Sequence, residues 1–173
     1  NTKHWDFMVD NDIGYVQGVA TEENVPFKDI QLVSGGAAGA DHVAVWMAIN
    51  LGLKLELNLP CDWDLCNKQY LDTGEKDWRT NPGGTSNLYH RKFADAVVGD
   101  KNASLKQIDL ALRLSKTICN IGEGFFDRNN KVAQSDFLLA FTFGKESVAD
   151  GGTKDTRDKA IDARCTHISL VKA

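Results

Sequence analysis

The sequence predicts an α/β fold in which an open, mostly parallel sheet is flanked by helices. In the first third of the chain, a short apolar run is followed by a helical pattern and a second apolar run, over residues 29–60. Strand, helix and strand alternate again over residues 136–171. Such alternation is typical of a parallel sheet covered by helices. Neither linker composition nor an internal repeat divides the chain, so we expect a single domain over residues 1–173.

The first strand–helix–strand unit has the clearest pattern. Residues 29–34 form an apolar run that ends in glycines, as a buried parallel strand does. Apolar residues then recur at helical spacing over residues 40–51, and Gly52 is placed to end that helix. Residues 53–60 alternate leucine with polar residues, which favours a second strand. The connection between the two strands should be right-handed.

The middle of the chain is polar and predicts helices added to this domain. Residues 81–84 have the composition of a turn, and Ser86 and Ser104 are each placed to cap a helix. We therefore expect a helical insertion over about residues 64–123.

The last third returns to a regular pattern. Residues 125–134 predict a helix, and the apolar, aromatic run at residues 136–143 predicts a central strand. A helix should follow Gly151, and residues 166–171 predict the final strand.

The opening residues do not supply the strand that such a sheet needs before its first helix. The nearest candidates in residues 1–28 are two short runs, residues 6–9 and 15–19. We expect the first strand to be missing from these residues or to be replaced by an irregular segment.

Composition excludes several classes of protein. Lys and Arg number 20 and Asp and Glu 24, so the net charge is −4, which argues against a nucleic-acid partner. No apolar run approaches the roughly 18 residues of a membrane helix, and no signal-peptide pattern is present, so we expect a cytoplasmic protein. The cysteine spacing fits neither a zinc ribbon nor a redox motif, and we expect reduced thiols, no metal and no cofactor.

A glycine-rich loop follows the first predicted strand. Residues 34–41 read SGGAAGAD and precede a helix, so the loop can approach a ligand closely while the helix offers free amide hydrogens. This arrangement favours a site for phosphate or carboxylate, although glycine turns also serve close packing of strand on helix. Its candidate ligand-binding residues are Ser34, Gly35, Gly36, Gly39 and Asp41.

Two further clusters could face the same crevice. A second glycine turn opens the helix after residue 150, and ligands of open α/β sheets bind at the carboxyl ends of the strands. Its candidate ligand-binding residues are Asp150, Gly151, Gly152 and Thr153. The alternative is that Thr153 only caps the helix. In the third cluster, Arg128 could clamp a phosphate or carboxylate and Asn129 could bind a hydroxyl or amide, unless both lie on a solvated face.

This combination of a GAD-ending glycine loop, an Arg-Asn pair and a Gly-Thr helix start resembles the SLOG superfamily. That Rossmann-like group includes the DNA-processing protein A fold, the YspA-like proteins and the lonely-guy phosphoribohydrolases. The resemblance spans most of residues 30–171 and is strongest to the YspA-like branch. It implies a nucleotide or ribose-phosphate ligand at the carboxyl edge of the sheet. In the YspA-like pattern, a further strand precedes the region that is residues 1–28 here.

Some SLOG members hydrolyse the N-glycosidic bond of nucleoside monophosphates, using a PGGxGTxxE motif and an Arg. This chain departs from the motif, because Thr156 occupies the position of the catalytic glutamate and the nearest carboxylate is Asp155. If the reaction occurs here, Asp155 is the first candidate to stabilise charge on the ribose and Arg128 to hold the phosphate. The alternatives are a non-catalytic sensor of a nucleotide such as an ADP-ribose derivative, and a DNA-processing binder.

Three lesser expectations complete the analysis. His90 could donate a proton if the insertion covers the crevice, or it could be an ordinary surface histidine. Trp63 is the tryptophan best placed to stack on a base, with core packing as the alternative. Sheets of this size often dimerise, so a homodimer is expected.

Overall fold

The computed structural model describes residues 1–173 and contains six helices and seven strands, with two short 3₁₀ helices. In chain order the elements are α1 (Thr2–Glu22), a 3₁₀ turn (Phe27–Asp29), β1 (Gln31–Ser34), α2 (Ala40–Leu51), β2 (Lys54–Leu59), β3 (Trp63–Asp64), β4 (Gln69–Tyr70), α3 (Pro82–Val98), α4 (Ala103–Ala111), β5 (Thr117–Ile121), α5 (Phe125–Val132), β6 (Phe137–Thr142), α6 (Gly152–Lys159), β7 (Arg164–Ser169) and a second 3₁₀ turn (Leu170–Lys172).

The main sheet confirms the predicted fold class. Its three strands lie in the order β1-β2-β5, and all of them are parallel. The leucines that alternate along β2 are almost completely buried, because helices cover the sheet on its faces. The protein is therefore an α/β protein with a parallel sheet flanked by helices, compatible with a Rossmann-like open sheet.

A second parallel pair, β6 with β7, stands apart from the main sheet. Residues 136–143 were expected to be a central strand, and this expectation is wrong. β6 pairs with β7 along one edge, whereas its other edge has no strand partner. The apolar run indicated burial correctly, since Ala140 and Phe141 are buried, but burial here comes from helix packing rather than from a second neighbouring strand.

The segment expected as a helical insertion is only partly helical. It contains α3 and α4, but also the β3–β4 hairpin and β5, which pairs with β2 in the main sheet. Helix α3 begins before the predicted cap Ser86, because the Asn81 side chain accepts a hydrogen bond from the Gly84 amide at 2.9 Å and Pro82 fits the first turn. The hydroxyl of Ser104, the other predicted cap, instead lies 3.0 Å from the ring of His90.

The opening residues are helical rather than irregular. Both candidate strands, residues 6–9 and 15–19, lie within α1, whose buried residues Met8, Val9, Val16 and Ala20 recur at helical spacing. Asn1 caps this helix by accepting a hydrogen bond from the His4 amide at 3.0 Å. Residues 1–28 therefore add no strand to any of the three sheets.

Helix α1 runs antiparallel to the strands. Its first turn lies at their carboxyl ends, since the ring centroids of His4 and Phe143, just after β6, are 5.3 Å apart. Its last turn lies at their amino ends, where Glu22 forms an ion pair with Arg164, the first residue of β7. A groove of about 850 Å³ remains between β1 and β6, below α1. None of the helices combines the length and the apolar character that crossing a membrane would require.

Candidate functional site

The candidate site lies at the carboxyl ends of the strands, where three segments meet. They are the glycine loop between β1 and α2, the helix α5 that follows β5, and the start of α6. Gly36 and Gly39 have φ angles of +66° and +87°, which residues other than glycine rarely adopt. The loop can therefore turn within a few residues and direct its backbone toward α5.

Three amide hydrogens of the glycine loop, those of Gly35, Gly36 and Ala37, already have acceptors. Asp41 folds its side chain back, so that one carboxylate oxygen accepts from the amides of Gly35 at 3.1 Å and Ala37 at 3.4 Å. The Gly36 amide donates to the Ser34 hydroxyl, which in turn donates to the Asp41 carbonyl. The place predicted for an external anion is thus occupied by the chain's own carboxylate. The Asp41 side chain is therefore a structural hydrogen-bond acceptor for the loop amides.

Two buried side chains hold the loop from below, and sequence reasoning did not assign them this role. The Gly36 carbonyl oxygen accepts from the Tyr70 hydroxyl and from the ring of His90, whose Nε2 lies 2.9 Å away. Because a carbonyl can only accept, Nε2 carries the hydrogen. His90 is completely buried, so it is neither a surface histidine nor exposed to the crevice. Burial lowers the pKa of His90 to about 4, which keeps the ring neutral.

Arg128 is the best-buried cation of the site. Only 9% of the residue is exposed, and its guanidinium donates to the Asn129 side chain from Nε at 3.1 Å and Nη2 at 2.7 Å. Nη1 donates to the Gly35 carbonyl at 3.3 Å, which joins α5 to the glycine loop. A Cβ at Gly35 would lie 2.8 Å from Cδ of Arg128, so this approach requires glycine. No carboxylate forms an ion pair with Arg128, although nine ion pairs occur elsewhere.

Asn129 and Asp155 join α5 to α6. The Asn129 amide donates to one oxygen of Asp155 at 2.8 Å, and Lys159 donates to the same oxygen at 2.8 Å. Burial raises the pKa of Asp155. The hydrogen bonds from Lys159 and Asn129, together with the charges of Lys159 and Arg128, lower this pKa by more than burial raises it, so the net shift is downward. Asp155 is therefore ionised at neutral pH, and its other oxygen has no protein partner.

The second glycine turn has open backbone groups. Gly151, with a φ of +128°, is the residue before α6, and no side chain caps this helix. Thr153 lies inside the first turn of α6 and is exposed, so it is not the cap. Asp150 and Gly152 are also exposed. This turn and the glycine loop both lie beside α5, and Arg128 with Asn129 links them.

An aromatic cluster lies next to this network. Trp78 lies with its ring centroid 6.0 Å from Phe125 and 5.9 Å from Phe126, and Phe126 is 58% exposed. Arg128 lies 5.3 Å from the centre of the Phe125 ring, and Lys159 lies 5.3 Å from that of Phe126. Trp63 is not part of it, because its indole donates to Asp109 at 3.4 Å and packs on Tyr70.

Comparison with known proteins shows that the chain is related to a viral protein. Over 168 residues the chain is 32% identical to an uncharacterized protein of Acanthamoeba polyphaga mimivirus. The matched region covers 96% of this chain and 83% of the viral protein. The chain belongs to the family of that viral protein. The relationship concerns the whole fold rather than one motif, since the match spans nearly all of the chain. No protein-family model matches the chain, and no solved structure matches it.

Proposed function

We propose that this protein binds a nucleotide, or a related ribose phosphate, at the carboxyl edge of its sheet. The observation that carries the proposal is the buried guanidinium of Arg128, which has hydrogen-bond partners but no carboxylate. Burying a cation that has no direct ion pair is costly, and an anionic ligand that pairs with it offsets this cost. Three of its five N–H groups donate hydrogen bonds to acceptors within the protein, which leaves two N–H groups for a phosphate.

The phosphate is assigned to the space between Arg128 and the start of α6 rather than to the glycine loop. The Gly35 and Ala37 amides already donate to Asp41, and a second anion there would be repelled. The first turn of α6 has no side-chain cap, and its positive dipole end favours negative charge. Asp155 in this helix lies one hydrogen bond from Asn129, which places α6 beside Arg128.

The aromatic cluster supports a base as the other end of the ligand. Trp78 and Phe126 present exposed rings next to the Arg128 network, and two cations flank them. A planar base stacked on such rings gains about 1–3 kcal/mol. The resemblance to the SLOG superfamily points to the same ligand class, and we propose membership in that superfamily on these grounds.

Hydrolysis of the N-glycosidic bond is the reaction that this site could support. Its transition state carries positive charge on the ribose, and the ionised Asp155 has one oxygen free to stabilise that charge. The competing function is a non-catalytic sensor. It is favoured by the Lys159 and Asn129 hydrogen bonds, which already neutralise and hold the Asp155 carboxylate.

Thermal shift tests the proposal with nucleoside 5′-monophosphates, the matching nucleosides and ribose 5-phosphate. We expect the monophosphates to raise the melting temperature most, because a ligand that binds only the folded state stabilises it. Ribose 5-phosphate should give a smaller rise, since it lacks the base, and nucleosides the smallest. Chromatography of the monophosphate samples then detects a released base, which separates the enzyme from the sensor. If neither monophosphates nor ribose 5-phosphate bind, both functions fail.

A further inference from the structure

β5 is an exposed edge of the main sheet. It pairs with β2 on one side, and no strand pairs with its other side. Its side chains are largely uncovered, since Cys119 is exposed and the exposed fractions of Ile118 and Ile121 are 57% and 45%. Charged side chains and prolines commonly protect such an edge from other strands, but residues 117–122 contain neither. This edge is therefore open to pairing with another strand.

The pairing with β2 determines which backbone groups of β5 point outward. The Leu55 amide donates to the Lys116 carbonyl at 3.1 Å, and the Gly122 amide donates to the Leu59 carbonyl at 2.8 Å. Alternate residues of a strand direct their backbone groups to the same side, so the even-numbered residues of β5 bond β2. The N–H and C=O groups of the odd-numbered residues therefore point away from the sheet.

Two of these outward groups already have partners within the chain. The Thr117 amide donates to the Leu114 carbonyl at 3.1 Å. The Ile121 carbonyl accepts from the Lys131 ammonium at 3.3 Å. The groups that remain are the Thr117 carbonyl, the amide and carbonyl of Cys119, and the Ile121 amide, and none of them has a partner in the chain.

We propose that β5 pairs with β5 of a second copy of this chain, antiparallel and about a two-fold axis at Cys119. Cys119 then lies opposite its counterpart, and Thr117 lies opposite Ile121. Opposite residues of a hydrogen-bonded antiparallel pair exchange N–H and C=O groups. Each Cys119 amide thus donates to the other Cys119 carbonyl, and each Ile121 amide donates to a Thr117 carbonyl. The two sheets become one sheet in the order β1-β2-β5-β5-β2-β1.

A shift of the register by one pair in either direction loses this match. In one shifted register, the Thr117 carbonyl faces the Glu123 amide, which already donates to Asp127 at 3.1 Å. In the other, the Cys119 carbonyl faces the Thr117 amide, which already donates within the chain. The register centred on Cys119 pairs every free backbone group of the edge with another free group.

Charge supports a second copy as the partner. Exposed Lys116 precedes β5 and exposed Glu123 follows it, so the strand is basic at one end and acidic at the other. An antiparallel two-fold pair brings the basic end of each strand near the acidic end of the other. The edge strand β7 lacks this arrangement, since Arg164 begins it and Lys172 follows it.

Sedimentation equilibrium of the wild-type chain and of two proline variants tests the proposal. Cys119→Pro removes an outward N–H and no backbone hydrogen bond within the chain. The matched control is Cys165→Pro in β7. The Cys165 amide also points outward, because the amide of the preceding Arg164 donates to Asp136 beside β6. We expect the wild type and the control to be dimers, and Cys119→Pro to raise the dissociation constant of the dimer at least about tenfold.

Disulfide formation gives a second measurement that needs no proline. The Cα atoms of a hydrogen-bonded antiparallel pair lie about 5.5 Å apart, within the range of about 4.4–6.8 Å for a disulfide. A variant with Cys61→Ser, Cys66→Ser and Cys165→Ser keeps only Cys119, and a second variant keeps only Cys165. Both are treated with diamide, which takes up the two thiol hydrogens as the disulfide forms. We expect the Cys119 variant to form a covalent dimer at least about tenfold faster.

Each other outcome contradicts the proposal. A wild-type chain that stays monomeric has no such interface, and a dimer that Cys119→Pro leaves unchanged uses another surface. If Cys119→Pro does not fold, as circular dichroism would show, the disulfide rates decide. A Cys119 thiol that cross-links no faster than Cys165 does not lie at the axis. No nucleotide is present in these experiments, so their result is independent of the proposed nucleotide site.

Discussion

Gly83→Ala is expected to lower the free energy of unfolding by about 3 kcal/mol or more. Gly83 is in the first turn of α3, where a Cβ would lie 1.8 Å from the Leu71 carbonyl oxygen and 2.7 Å from its carbonyl carbon. Both are backbone atoms, so α3 itself would have to move away. α3 carries Asn87, which exchanges two hydrogen bonds with the Tyr70 backbone, and it carries His90. The substitution should therefore also loosen the support of the glycine loop.

The matched control for this substitution is Gly18→Ala. Gly18 is exposed in the interior of α1, and nothing lies within 4 Å of the position that its Cβ would occupy. Alanine there should raise stability by about 0.5–1 kcal/mol, because it favours the helix. Urea denaturation of both variants measures the difference. A Gly83→Ala protein as stable as wild type would mean that α3 does not approach Leu71 this closely.

Acid should destabilise the protein through two buried histidines. Burial, with the neighbouring His90 ring as a smaller cause, lowers the pKa of His42 to about 3, and burial lowers the pKa of His90 to about 4. In the unfolded chain both rings take up a proton near their ordinary pKa of 6.5. Between about pH 6.5 and 4 the unfolded state therefore binds more protons, and stability falls as the pH falls. Each ring should account for about 3 kcal/mol at about pH 4.5.

His42→Phe separates this effect from general acid unfolding. The ring of His42 packs among Trp5, Phe93 and His90, and its Nδ1 has no hydrogen-bond partner. Phenylalanine therefore suits these surroundings, and it gives up one hydrogen bond, the 2.6 Å contact of Nε2 with Gln107. We expect the loss of stability between about pH 7 and 4.5, measured by urea denaturation, to shrink by about 2–3 kcal/mol in the variant. An unchanged loss would show that His42 does not titrate on unfolding in this range.

The sequence was most informative where local pattern and tertiary role coincide. The glycine loop, the helix after it and the strand β2 were predicted within two residues, because apolar spacing and Gly52 indicate them directly. The Arg128–Asn129 pair was also recognised as a polar cluster, and it lies at the junction of both glycine turns.

Features that depend on distant contacts could not be predicted in the same way. β5 has a mixed, half-exposed sequence, and only its pairing with β2 identifies it as part of the sheet. The hydrogen bonds of Tyr70 and His90 to Gly36 span 34 and 54 residues, so no local pattern indicates them. Likewise, Asp41 has the residue type and position of a helix cap or a ligand contact. Its folding back onto the loop amides emerges only in three dimensions.

The most direct test of the phosphate site is calorimetry on Arg128→Lys, which keeps the charge but loses the planar fork. Arg157→Ala is the matched control, because Arg157 is exposed on α6 and forms no ion pair. Urea denaturation confirms that each variant is folded. We expect Arg128→Lys to weaken a nucleoside monophosphate at least tenfold and the matching nucleoside less than about twofold, with Arg157→Ala close to wild type. Equal losses for the monophosphate and the nucleoside would contradict the assignment of Arg128 to the phosphate.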